Sequence, residues 1–322
     1  VEINLRELPI MGWYTDYEED LQAVFSECRR MAAQYPAPLA ADALAYLAKF
    51  DVSERARSKN YICYLLPFWL QEATGLSIAQ CRAMAVDNIF CMLYFFIQDD
   101  VFDAPAAGGA HQLPLANLFY GEFLAGYPAL FPQGTVFWTY YKTYLAEWAD
   151  SVKNEAVADY FRHDPLRIAG KSSPLKLCST AALLLADKAE RIPAVTRQLE
   201  YTLVALQMAD DLSDWAEDLE VGSYNSLLSL ASSTLDVPSD RKLTEAEVRS
   251  FLYDHQGLTL YSAVATGQLA LVESAPEGLR QLAAYHRSLV EELQGKALRI
   301  DEERKQLAQG GLLYWLARNQ QV

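Results

Sequence analysis

Breakers are scarce in this chain, and they fall between stretches whose apolar residues recur at helical period. Only 15 Gly and 13 Pro are spread over 322 residues. Alternating apolar and polar runs joined by Asn-Gly or Asp-Gly are absent, so hairpins are not expected. The pattern predicts helices near 17–34, 39–50, 54–72, 77–103, 112–129, 133–162, 173–190, 193–221, 244–272 and 276–308. Several starts carry their own chemistry. Thr244 to Glu247 spell a capping box, in which a Thr hydroxyl and a Glu carboxylate each accept an amide of the first turn. Pro193 and Pro276 suit a first helical turn, where the N–H has no intrahelical partner to lose. Segments 104–111 and 230–243 read as loops. No linker composition or internal repeat divides the chain. Residues 1–322 are therefore expected to form a single all-α domain of about ten helices.

Charge narrows the partners. Lys and Arg total 27 against 42 Asp and Glu, a net charge of −15. Binding nucleic acid requires a basic face, and an anionic membrane surface repels this balance, so neither is an expected partner. With 52% hydrophobic residues the chain can bury a large core. No apolar run reaches the ~18 residues of a membrane-spanning helix. The opening residues Val1 to Glu7 do not read as a signal peptide. The five cysteines are scattered without a Cys-x-x-Cys pair, which predicts reduced, buried thiols and a cytoplasmic location. The four histidines are too dispersed for a zinc site.

Two acidic runs stand where helix electrostatics disfavour them. Asp99, Asp100 and Asp103 end the apolar stretch Ile89 to Ile97, just ahead of Pro105, Gly108 and Gly109. The spacing puts Asp99 and Asp103 on one helix face. Acids at a helix C-terminus meet the negative end of the macrodipole, at a cost of ~0.3–1 kcal/mol each. No Lys or Arg lies between Arg82 and Lys142 to offset them. The second run follows the apolar stretch Leu199 to Met208. Its Asp210, Asp214 and Asp218 recur every fourth residue, forming one stripe over about two turns. Gly222 can end that helix, and no cation occurs between Arg197 and Arg241. Crowded carboxylate oxygens suit a hard divalent ion, Mg2+ above all, which completes its shell with water and substrate phosphate. The expected ligand is a phosphorylated or diphosphorylated molecule. Neither run has the loop spacing of an EF-hand.

Asp99-Asp100-Val101-Phe102-Asp103 matches the Asp-Asp-x-x-Asp motif of class I terpene synthases and related prenyl-diphosphate enzymes. The second run resembles their other metal motif, (Asn/Asp)-Asp-x-x-(Ser/Thr)-x-x-x-Glu. Asp210 and Asp211 match its start, Asp214 stands where Ser or Thr is usual, and Asp218 stands where Glu is usual. Gly222 and Asn225 match the continuation seen in bacterial terpene cyclases. The all-Asp variant is shared with prenyl-elongating enzymes. The resemblance implies an antiparallel helical bundle around a deep apolar cavity, the class I isoprenoid synthase fold. It also implies three Mg2+ ions, with Asp99 and Asp103 on the first motif and Asp210, Asp214 and Asp218 on the second as ligands. The activity implied is that of a lyase in isoprenoid biosynthesis. A linear farnesyl (C15) or geranylgeranyl (C20) diphosphate loses diphosphate, and its cation cyclises to a hydrocarbon or alcohol. A homodimer is a further implication of the resemblance.

Other positions follow from the same resemblance. A diphosphate-sensing Arg is expected upstream of the second motif, at Arg162 or Arg167. Arg167 is favoured, because the break from Gly170 to Pro174 follows it. Lys171, Lys176 and Asn225 are further substrate-binding candidates, Lys171 in a Gly-Lys pair like that of elongating enzymes. Met92, Phe95 and Phe96 lie deeper along the first acidic helix. With Tyr64, Phe68 and Trp69 they could line the wall that shields a carbocation. The family often carries a C-terminal Arg-Tyr pair that helps close the site. Here only Arg299, Arg304, Lys305 and Tyr314 are available in its place. Two alternatives stay open. One is a prenyl-elongating or condensing synthase, opposed by the absence of any Lys or Arg across 104–141. The other is a non-catalytic helical interaction protein, opposed by the intact carboxylates.

Overall fold

Helix is the only regular secondary structure among the described residues. The computed structural model describes the backbone of residues 12–51, 60–103, 109–155, 157–238, 241–275 and 279–319, and the side chains of all of these except 103 and 307–319. Contacts group the chain into two compact units. The first comprises residues 1–150, 170–199 and 277–284, the second 151–169, 200–276 and 285–322.

The first unit is built around the helix Ile62–Trp69, whose sequence is apolar on every side. Such a helix has no face to offer water, and all eight residues are buried. It packs on the long helix Ile78–Asp103, which also carries Glu18–Ala32 and Leu113–Ala125 against it. Ile89, Phe90, Leu93 and Ile97 of the long helix have no exposed surface, so the apolar run ahead of the first acids is core. The helix Lys176–Leu185 is buried from Lys176 through Leu183.

The second unit contains the acidic end of the helix Ile192–Val221, followed by Ser226–Thr234, Glu245–Asp254, Gly257–Glu273 and most of Arg280–Asn319. Arg287 pairs with Glu273 and the Gln294 amide donates to Thr266, so the last two helices run antiparallel. His286 is fully buried between them and a third helix. Its Nδ1 lies 3.2 Å from the Thr202 hydroxyl and its Nε2 lies 3.4 Å from the Ala265 carbonyl.

The expected helices at 17–34, 39–50, 77–103 and 193–221 are observed as Glu18–Ala32, Leu39–Ala48, Ile78–Asp103 and Ile192–Val221. The Thr244–Glu247 capping box forms. Elsewhere the boundaries differ. The stretch expected as 112–129 breaks at Gly126, and 133–162 ends at Asn154 before a short helix Tyr160–His163 capped by Asp159. The stretch expected as 173–190 instead holds a 3-10 segment Pro165–Leu175, the helix Lys176–Leu185, and a 3-10 turn Ala189–Arg191. The stretch expected as 244–272 splits around His255 and Gln256. Gly257 then restarts the helix so close to Phe251 that a Cβ there would lie 2.6 Å from the Phe251 ring and carbonyl. The loop expected at 230–243 is in part the helix Ser226–Thr234. In the stretch expected as 54–72, residues 52–59 lie outside the described residues and the helix begins at Ile62. Pro276 and residues 104–108 also lie outside them, and Gly109–Gln112 is a 3-10 turn. All five cysteines are buried and none is disulfide-bonded. No described helix is long and apolar enough to cross a membrane.

Candidate functional site

In the first acidic run, compensation arrives from distant parts of the chain. Asp99 keeps 40% of its side chain exposed and pairs with Lys171, whose Nζ stands 3.5 Å away. Asp100 accepts a hydrogen bond of 3.3 Å from the Tyr46 hydroxyl. Burial raises the Asp100 pKa, while the Tyr46 bond and the charge of Lys49 oppose that shift. Lys49 itself lies over the Tyr46 ring, 4.8 Å from its centroid. Burial, reinforced by Asp100, pushes the Tyr46 hydroxyl pKa up, so it stays a proton donor. Asp103 closes the helix, and its side chain lies outside the described residues.

The segment bearing Lys171 is fastened just beyond it. Glu147 accepts from the Ser173 hydroxyl at 2.9 Å and from Lys176 Nζ at 2.5 Å. Lys176 is only 3% exposed, and its ammonium also lies 4.7 Å from the centre of the Tyr144 ring. A buried ammonium needs partners of this kind. Lys176 thus joins the core beneath Lys171, whereas Lys171 reaches the acids.

The apolar candidates divide in two. Met92 and Phe95 are buried at 5% and 9%, and Phe96 is half-buried. Phe95 meets Trp148 edge-on at 4.9 Å, and Phe96 meets Phe50 at 5.3 Å. Tyr64, Phe68 and Trp69 are core. Tyr64 packs on Phe25 and Phe68 on Tyr17, while the Trp69 indole donates to the Trp13 carbonyl.

The second acidic run is organised by fixed dipoles. Asp211 is 5% exposed and turned into the protein. It accepts from the Gln207 amide at 2.8 Å, from the Ser226 backbone N–H at 2.8 Å, and from the Ser226 hydroxyl. Tyr261 lies 2.6 Å from the Ser226 hydroxyl and donates to the Met208 carbonyl. Asn225 uses its whole amide. Its Nδ2 donates to the Asp211 carbonyl and to Asp218 Oδ2, both at 2.8 Å. Its Oδ1 accepts from the amides of Leu227 and Leu228, capping the helix Ser226–Thr234. Asn225 therefore positions Asp218 and starts the next helix with one side chain.

Gly222 adopts φ +87°, and both its amide and that of Ser223 close onto the Asp218 carbonyl. Lys242 sits against that turn, its Nζ 2.7 Å from where a Cβ on Gly222 would be. A cation thus reaches the negative end of the helix from beyond the stretch without Lys or Arg. Arg249 lies over the Trp215 ring at 5.7 Å. Asp214 is exposed, and Asp210 and Asp218 are half-buried.

Arg162 and Arg167 belong to the same unit as this second run, and both are exposed. Arg162 rides on the short helix capped by Asp159, whose carboxylate also accepts from Tyr224 and Ser229. The Arg167 guanidinium stacks 4.5 Å from the Tyr160 ring. Lys171 and Lys176 belong with the first run. Tyr46, Lys49, Glu147 and Lys242 were not singled out from sequence. Each lies far along the chain from the residue it serves, and no local spacing marks such a pairing.

Among the described residues no three His, Cys, Asp or Glu side chains converge as a ready-made metal cage. Mg2+ does not require one, since it is commonly held by one or two carboxylates with water and phosphate completing the shell. The donor set is hard oxygen throughout and half-exposed or exposed at Asp99, Asp210, Asp214 and Asp218, which fits such an ion. Compared with known proteins, the chain matches no family model and no curated protein sequence.

Proposed function

We propose that the chain is a Mg2+-dependent terpene cyclase acting on farnesyl or geranylgeranyl diphosphate. One observation carries this reading. The two acidic runs, though compensated differently, share one feature. The second acid of each Asp-Asp pair, Asp100 or Asp211, is tied to the protein by a hydroxyl donor. The first acid of each pair, Asp99 or Asp210, is half-buried, within reach of solvent. A merely solvated acidic face has no reason to repeat this arrangement on two helices.

In this reading Asp99 and Asp103 would hold metal on one helix, and Asp210, Asp214 and Asp218 on the other. Mg2+ bound there would neutralise the charge of the departing diphosphate. Lys171, Arg167 and Arg162 supply further positive charge to it. Lys176 and Glu147 hold the segment that carries Lys171. Asn225 fixes the direction of Asp218. Met92, Phe95 and Phe96, backed by Trp148 and Phe50, exclude water, and their aromatic faces stabilise the cation. Phe68 and Trp69 support that wall from the core.

The test is purified protein with each diphosphate, with Mg2+ or with EDTA, read by gas chromatography–mass spectrometry. Cyclic hydrocarbon or alcohol is expected only with Mg2+. A longer linear diphosphate formed when isopentenyl diphosphate is added would make it an elongating enzyme instead. Diphosphate that fails to raise the melting temperature in the presence of Mg2+ would point to a non-catalytic protein.

A further inference from the structure

Within the second unit, the helix that bears Arg162 is tied to the junction that follows the second acidic run. That helix, Tyr160–His163, is a single turn and too short to hold itself. It is held from outside at its first amides, which a helix leaves without an internal partner. The Phe161 N–H donates to the Tyr224 hydroxyl at 2.8 Å, and the Arg162 N–H donates to Asp159 Oδ1 at 3.3 Å. The Tyr224 hydroxyl donates to the same Oδ1 at 3.1 Å, and the Ser229 hydroxyl donates to it at 2.6 Å. Burial raises the Tyr224 pKa against the pull of the Phe161 amide, and Asp159 raises it further. The hydroxyl therefore keeps the proton that it donates.

Tyr224 directly precedes Asn225, whose amide donates to Asp218 Oδ2 at 2.8 Å. Between the turn at Gly222 and the helix that starts at Ser226, these two residues belong to no regular element, so their side-chain bonds set where they sit. One route thus runs from the Arg162 helix through Asp159, Tyr224 and Asn225 to Asp218. A second runs beside it. Phe161 is buried with its ring 5.5 Å from that of Tyr261. Tyr261 lies 2.6 Å from the Ser226 hydroxyl, which donates to Asp211. The second route is closed by buried groups. The first ends on a half-buried carboxylate at one end and an exposed arginine at the other.

We propose that Asp159 and Tyr224 are positioning residues that couple diphosphate capture at Arg162 to the aim of the Asp218 carboxylate. The inference rests on the reading of Arg162 as a diphosphate ligand and of Asp218 as a metal ligand. Both positioning residues act through others. Capture of diphosphate fixes the single-turn helix, Tyr224 follows it, and Asn225 turns the metal-binding oxygen of Asp218 with it. Such coupling is reciprocal: Mg2+ tightens diphosphate by the same factor as diphosphate tightens Mg2+.

The experiment is calorimetric titration of the full chain with inorganic diphosphate, in Mg2+ and in EDTA. The quantity read is the gain in diphosphate affinity that Mg2+ confers. The Mg2+–diphosphate complex forms in solution alike for every variant, so it cancels in the comparison. Tyr224→Phe keeps the ring and removes the hydroxyl, and should cut the gain about tenfold while affinity in EDTA stays near wild type. Asp159→Asn should keep most of the gain, because all three donors meet one oxygen and an amide oxygen can accept them. Arg162→Ala, at an exposed position, supplies the decisive background. With Arg162 absent, Tyr224→Phe should change the gain by less than about twofold, whereas a brace with a purely structural role would cost the same in either background. Circular dichroism checks that each variant is folded. A folded Tyr224→Phe protein with the wild-type gain overturns the proposal, as does an additive loss in the double variant, and both results leave the cyclase reading standing. A wild-type chain that binds diphosphate no better in Mg2+ than in EDTA overturns that reading, and the coupling with it.

Discussion

The two acidic helix ends face the same electrostatic problem and solve it by different means. At the first, Asp99 has a lysine at 3.5 Å and Asp100 a tyrosine hydroxyl, with Lys49 close by. At the second, Asp211 is enclosed by an amide, a backbone N–H and a hydroxyl, and Asp218 is held by Asn225. Half-exposed ion pairs are worth ~0–1 kcal/mol and exchange easily. Buried hydrogen bonds to a carboxylate hold an orientation, and leaving their donors unpaired is costly. The first end is thus a site whose counter-charge can be replaced, whereas the second is a site whose geometry is fixed in advance.

That contrast can be broken most directly at Asp211. Asp211→Ala strands three donors in a buried position and should cost about 3 kcal/mol or more in urea unfolding. Asp100→Ala, at the equivalent place in the first run, should change stability by less than about 0.5 kcal/mol. Equal losses would mean that the two ends do not differ in kind.

The pH response should separate the units next. Burial, with Glu122 adding to it, lifts Asp87 in the first unit to about 7 from 3.8. The folded state then keeps a proton that the unfolded chain has already lost. Stability should fall as pH rises from about 4 through about 7, and Asp87→Asn should remove this arm. In the second unit, burial depresses His286 to about 4 from 6.5, opposed by its bond to the Ala265 carbonyl. Here the unfolded chain takes up a proton first, so stability should fall as pH drops from about 6.5 toward 4. His286→Gln should flatten that acid arm. Melting curves of both variants across the pH range check the assignment, which fails if the wrong arm flattens.

Smaller stability effects are expected at the acids open to ligand. Asp99→Ala removes a carboxylate from a helix end that disfavours it, so stability should hold or rise by up to about 1 kcal/mol. Turnover should be lost, as the product assay would report. Full activity in this variant would mean the first metal site is misassigned. Asp214→Ser, at an exposed position, should change least of all, with activity retained and melting temperature within error. Complete loss of product would give Asp214 a role that a hydroxyl cannot fill.

Much of the fold was legible because helical periodicity and caps are local signals. The long helices carrying both acidic runs were expected within a residue or two, and the capping box at Thr244 formed as its sequence spells it. The helix Ser226–Thr234 was missed because five of its nine residues are Ser or Thr, which read as loop. Burial of Leu227, Leu228 and Ala231 outweighs that composition, and the Asn225 cap starts the helix. The acids themselves were visible as charges out of place. Their partners were not, since Tyr46 and Lys171 lie more than a helix away from Asp99 and Asp100 in sequence. Nor did spacing reveal that Lys176 is a core residue, because burial of an ammonium depends on Glu147 and Tyr144 arriving from another helix.

The Asn225–Ser226 junction also bears on how the protein ages. An Asn followed by a small residue is prone to deamidate when the next backbone nitrogen attacks its side-chain carbonyl. Here that nitrogen is committed to Asp211 and the carbonyl oxygen to two helix amides, so neither partner is free to turn. Deamidation would also set a new carboxylate against that of Asp218, where an amide now donates. Prolonged storage should therefore spare this junction while the native state persists, and intact-mass measurements that find modification at Asn225 would report molecules that had already opened locally.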